Sequence, residues 1–164
     1  MAKSPKDLGD LFYDTLKDIY FAEKQILRAL PKMAKTAQSP ELSAAFEKHR
    51  DETEVQIERL EQVFELLGKP ARGKTCDAIM GIIDEAKEIM EDYVGTDALD
   101  PGMIGVAQAV EHYEISRYGT LSAWAAQLGM KDAVKLLEAT LAEEKKTDVA
   151  LSTLATTKVN AKAA

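Results

Sequence analysis

Residues Asp18 to Leu30 read Asp-Ile-Tyr-Phe-Ala-Glu-Lys-Gln-Ile-Leu-Arg-Ala-Leu. Ile19, Ile26 and Leu30 fall at steps that put side chains on one face of a helix, and Glu23 stands among them. A carboxylate in an apolar stripe must be paired, protonated or bound to a cation, because an isolated buried charge is very costly. The stretch therefore sets two expectations. The chain is built of amphipathic helices, and other parts of it supply partners for Glu23 at the same depth.

Around this stretch the first helix is predicted to start at Ser4-Pro5, serine as cap and proline at the first helical position, and to run to about Ala37. Pro31 inside it removes one backbone hydrogen bond and predicts a bend. Ser39-Pro40-Glu41 repeats the start signal after a very short turn, so a second helix folds back along the first and ends near Gly68. Its middle is unusually polar, with His49, Glu52, Thr53 and Gln56 on the continuation of the Leu42 stripe. A linker follows, and Thr75 is placed to cap a third helix over about Cys76 to Val94 with a strong apolar face. Asp100-Pro101 opens a fourth helix, about Gly102 to Leu128, and Lys131-Asp132 a fifth. Residues Asn160 to Ala164 are expected to fray.

These elements predict one all-α domain over residues 1–164, a ferritin-like four-helix bundle. Two antiparallel hairpins are joined by a crossover, residues 68–100, that contains the third helix. The composition agrees, with 46% apolar and 30% charged residues and few aromatics. A net charge of −7 argues against nucleic acid as a partner. No apolar run is long enough to cross a bilayer and no leader-like apolar segment opens the chain, so no membrane association is expected. A single cysteine, Cys76, excludes an intrachain disulfide and fits a cytoplasmic protein.

Counting residues from the turns estimates which side chains share a level in such a bundle. Glu23 and Glu52 lie 29 residues apart and straddle the first turn; Glu114 and Glu143 lie 29 apart and straddle the second. A shift of 91 residues carries the first pair onto the second, which reads as a weak internal repeat. Four clustered carboxylates repel one another, and two divalent ions would neutralise them. The expected metal ligands are Glu23, Glu52, Glu114 and one of Glu143 or Glu144, with His49 as the nitrogen donor. Asp148 stays open as the ligand from the fifth helix, as do the roles of Glu111 and His112. Oxygen-rich ligation suits iron or manganese as the cofactor. The pattern departs from the Glu-x-x-His of di-iron bundles, since His49-x-x-Glu52 runs in reverse and the fifth helix has no histidine. Competing readings are a surface Glu114–Arg117 pair and a solvated run at Glu143 to Lys146.

Asp18-Ile-Tyr-x-Ala-Glu23, Leu30-Pro-Lys-Met33, His49-x-x-Glu52-Thr53, Glu58-Arg-Leu60, Glu111-His-Tyr-Glu-Ile115 and Glu143-Glu-Lys145 occur in order, and together they resemble the YciF-like bacterial stress proteins. The resemblance runs from about Leu8 to Leu154. It implies a ferritin-like fold related to rubrerythrins and manganese catalases, a homodimer and a metal site, but no settled activity. Two functions follow as expectations. One is a dinuclear iron or manganese protein reacting with a small oxidant such as oxygen or peroxide. The other is a non-enzymatic helical stress protein whose surface does the work. A dimer would draw on the apolar face of the third helix. Iron storage is a weaker third, since it needs a shell of many subunits.

Overall fold

The computed structural model describes residues 5–164, and among them the structure is helical, with no strand. Five main helices follow in order: α1 Leu8–Thr36, α2 Pro40–Leu66, α3 Asp77–Asp92, α4 Leu99–Gln127 and α5 Lys131–Leu154. A π-helical turn, Ala155–Val159, and a last short helix, α6 Asn160–Ala163, continue α5.

The helix starts are set by side chains that satisfy free backbone amides, and they correct the expected ones. Ser4 lies outside the described residues. The cap of α1 is Asp7, whose carboxylate accepts from the Asp10 N–H while Asp10 accepts from the Asp7 N–H, a reciprocal box. Ser39 caps α2 as expected, accepting from the Leu42 N–H at 3.3 Å. Thr75 does not cap α3; Cys76 occupies that position and makes no side-chain cap bond. Helix α4 begins at Leu99, earlier than Gly102, because Asp100 is not its cap. The Asp100 carboxylate turns away and accepts from the backbone N–H groups of Gln38 and Ser39, at 2.8 and 2.7 Å. It thereby secures the turn between α1 and α2. Gly68 and Gly129 close α2 and α4 at positive φ, 64° and 74°, where a side chain would be strained.

Helix α1 packs on α2 and α4, and α5 packs on α2 and α4, so the four long helices form a closed ring of contacts. Helix α3 lies against α1 and α4. Its apolar residues Ile79, Ile83, Ala86 and Met90 are buried there, so most of the face expected to be left over for a dimer is covered within the chain. Gly102 allows this approach: a Cβ at that position would stand 2.8 Å from Ile89 Cγ2. The core includes Phe12, Leu16, Phe46, Phe64, Met103, Tyr118 and Leu121. Phe64 is held edge-on by Tyr13 and Tyr20, with ring centroids at 6.2 and 5.3 Å. Pro31 lies inside α1 without ending it.

The C-terminal residues expected to fray are helical to Ala163. Val159 is buried in the core, and Lys158 and Lys162 reach Glu41 and Asp97. Burial of the valine holds the segment; the exposed ion pairs add little.

Candidate metal centre

In the middle of the helix ring, side chains from four helices meet out of contact with water. Glu23 comes from α1, His49, Thr53 and Gln56 from α2, Glu111, Glu114 and Tyr118 from α4, and Glu144 from α5, all of them buried. His49 is the hub. Its Nδ1 stands 3.1 Å from Glu111, and its Nε2 stands 3.6 Å from Glu144 and 3.8 Å from Glu114. Donor atoms of His49, Glu111, Glu114 and Glu144 all lie within 4.8 Å of one another. The Tyr118 hydroxyl donates to Glu23, which lies beside Glu114.

The polar atoms here are poorly satisfied. Both carboxyl oxygens of Glu111 and of Glu114, Oε2 of Glu23 and of Glu144, and Nε2 of His49 are buried with no hydrogen-bond partner. Such groups are uncommon, because each forfeits its hydration without replacement. Ligands sharing an ion at about 2.1 Å stand roughly 3 to 4 Å apart, the separation of His49 Nε2 from its two carboxylates. Their convergence and chemistry fit a hard divalent cation.

Electrostatics without a cation tell the same story. Burial, reinforced by the Glu144 charge, pushes the Glu23 carboxyl up to about 8. Burial, together with Glu144, pushes Glu111 up to about 12. Glu114 is raised well above the ordinary carboxyl range, by burial first and then by Glu144, Glu23 and Glu111. The His49 imidazole is lowered by burial, against the pull of Glu144 and Glu52, which keeps it in the neutral form that a metal takes. At neutral pH these three carboxyls hold their protons, and a cation would displace them.

Four of the expected ligands, Glu23, His49, Glu114 and Glu144, are brought together. Glu52 and Glu143 are not. Glu52 lies at the rim, partly exposed and paired with Lys48 at 2.9 Å. The buried position beside it belongs to Thr53, whose hydroxyl is spent on the His49 carbonyl oxygen at 2.7 Å. Glu143 faces Arg59, which grips both of its oxygens at 2.7 and 2.8 Å. Burial raises the Glu143 carboxyl, but the Arg59 and Gln56 hydrogen bonds outweigh it and hold the group below its ordinary value. Gln56 donates to both Glu143 and Glu144, so Arg59, Glu143 and Gln56 form a chain that fixes Glu144 from the surface inward.

The remaining candidates separate cleanly. His112 is exposed and sits 3.2 Å from Asp148, which also accepts from Gln108. Glu114 is not paired with Arg117, which lies over the Tyr113 ring instead. Glu111 is the cluster member whose role stood open. It is one helical turn before Glu114, a spacing that puts both on one face of α4.

Fold and site together define a helical protein that buries a cluster of carboxylates and one imidazole between four helices. The chain belongs to the family described as a domain of unknown function, DUF892, whose model matches residues 7–164. Protein YciF of Escherichia coli K12 is 46% identical over 159 residues, covering 96% of each chain. The crystal structure of that stress protein is similar with a TM-score of 0.90 at 45% identity, over 95% of this chain and 99% of its own. YcfI, a proposed structural protein from Rhodopseudomonas palustris, gives a TM-score of 0.89 at 46% identity, over 93% of this chain and 98% of its own. A more distant likeness is a Xanthomonas campestris protein, with a TM-score of 0.73 at 25% identity over 94% of each chain. No described helix is long and apolar enough to cross a membrane.

Proposed function

We propose that this chain is a ferritin-like four-helix bundle carrying a carboxylate-rich centre for two iron or manganese ions, and that, as a relative of a stress protein, it serves in a response to oxidants. The observation that carries the reading is the set of buried, unpartnered oxygens of Glu23, Glu111, Glu114 and Glu144, of which Glu114 and Glu144 face His49 Nε2 and Glu111 faces Nδ1. The four carboxyls, once deprotonated, match the charge of two divalent ions, and oxygen-rich ligation favours iron or manganese over zinc or copper. Bound iron or manganese would supply redox chemistry towards oxygen or peroxide. The protein's part is to hold His49 neutral, to orient Glu144 through Gln56 and Glu23 through Tyr118, and to keep bulk water out. A cytoplasmic setting is supported by the free, buried Cys76. A homodimer is part of the proposal, through such surface as α3 leaves half-buried at Ile82; a monomer by sedimentation at micromolar concentration overturns it.

The second reading, a structural stress protein without metal, is favoured by one observation. Thr53 stands 91 residues before Glu144 in the internal repeat, so one of the four equivalent positions has no carboxylate. Titration of chelator-stripped wild type and Glu23→Ala with iron(II) and manganese(II) decides between them. Two ions per wild-type chain, lost or reduced in Glu23→Ala, are expected. Negligible uptake by both proteins leaves the structural reading.

A further inference from the structure

Between α1, α3 and α4 lies a cavity of about 20 Å³ walled by apolar side chains, among them Ile26, Leu30, Ala107 and Val110. Among the described residues His49 and Glu111 are its only polar lining, so it abuts the cluster directly. A second cavity, of about 220 Å³, lies between α1 and α3 and reaches the surface at Arg28, Lys32 and Lys87. Ala29, Met33, Ile83 and Ala86 line both, so the two adjoin across these four side chains.

We infer that the paired cavities are an entry and holding site for dioxygen, an apolar diatomic delivered to the His49 and Glu111 side of the cluster. The inference rests on the metal-centre reading for its purpose, but not for its existence. A cation is a poor passenger. It would meet three basic side chains beside Gln25 at the mouth, although Lys87 is partly occupied by Asp84 at 2.8 Å, and then an apolar neck offering no oxygen or nitrogen ligand. Water needs two to four polar partners to stay in a cavity, and here only one end offers any. Peroxide, with two hydroxyl groups to desolvate, meets the same objection. A small apolar gas has no hydrogen bonds to forfeit on entering, and apolar cavities in proteins take up xenon for the same reason.

Xenon and dioxygen are therefore the probes, used first on metal-free protein. Crystals of wild type under xenon pressure are expected to hold the gas against Ala86, Ala107 and Val110. In solution, dissolved dioxygen should broaden the methyl signals of those residues more than those of Leu60, which is buried elsewhere in the core. Ala86→Leu is expected to expel xenon, to leave metal stoichiometry unchanged, and to slow oxidation of the iron(II)-loaded protein by dioxygen about tenfold or more, since entry rather than chemistry is obstructed. Met33→Ala, which opens the shared wall, should raise xenon occupancy and speed that oxidation, and it keeps the test alive should the leucine variant misfold. An empty cavity in wild type, or an oxidation rate indifferent to xenon loss, overturns the inference. Xenon in place with no metal taken up would instead overturn the metal reading and leave the cavity as a gas site.

Discussion

Both oxygens of Glu114 are buried and unpartnered, and its carboxyl is held neutral by burial and by three neighbouring glutamates. An amide has the shape of a neutral carboxylic acid but cannot be deprotonated. Glu114→Gln should therefore abolish or severely weaken iron and manganese uptake while stabilising the metal-free protein, by about 1 kcal/mol at pH 8, where wild type must hold a proton or bury a charge. Urea unfolding in chelator, beside metal content measured on loaded protein, checks both halves; a variant that binds metal as wild type does removes Glu114 from the centre. At this scale the sequence was legible in part. Glu23 stood out because its apolar neighbours fixed its face. The level of Glu52 and Glu143 could be counted from the turns, but one residue along a helix is a rotation of about 100°. The neighbours Thr53 and Glu144 take the inward positions instead. The sequence does not mark Glu111, because α4 is buried against α1, α3 and α5 and its apolar residues encircle it without defining one inward face.

At the scale of elements, Asp100 couples two parts of the chain 61 and 62 residues apart, accepting from Ser39 and Gln38 just where α2 begins. Asp100→Ala would strand two amides that are held by a charged acceptor, and it is expected to cost about 2 to 3 kcal/mol. Asp100→Asn keeps one acceptor oxygen and should cost less. Denaturation curves for the three proteins test this, and an alanine variant as stable as wild type would mean that solvent satisfies those amides. The aspartate-proline pair carries a real start signal, but a side chain that can cap its own helix can equally cap another. Local sequence does not say which amide lies nearer in space. The same ambiguity applies to α1, where Asp7 and Asp10 satisfy each other's backbone. Helix existence and order needed no such knowledge, since apolar periodicity and the glycines at positive φ mark them locally.

For the whole molecule the cluster predicts an unusual dependence of stability on pH. Glu23 and Glu111 have folded-state values raised to about 8 and about 12, far above an ordinary glutamate near 4.5. Below the ordinary value both folded and unfolded chains hold these protons, and the contribution is full. As pH rises the unfolded chain sheds its protons first, so stability of the metal-free protein falls through the Glu23 value and continues to fall towards that of Glu111. Asp14 and Glu41, lowered to about 2 by hydrogen bonds from Lys6 and Lys158, act in the opposite sense and lose their contribution as pH falls through that value. Glu41 is exposed and Asp14 only half-buried, so both are screened and the acid limb should be shallow. Thermal unfolding in chelator is therefore expected to give a higher midpoint at pH 5 than at pH 8. Bound metal should reverse the order, because cations compete with protons for the same oxygens and stabilise most where protons leave most readily. The competition has a second readout: loading at pH 7 should release protons from Glu23, Glu111 and Glu114, seen as a binding enthalpy that varies with the ionisation enthalpy of the buffer. A chelated protein whose midpoint is flat from pH 5 to pH 8, and whose metal binding releases no protons, would show that these carboxyls are solvated and that the helix ring is open at its centre.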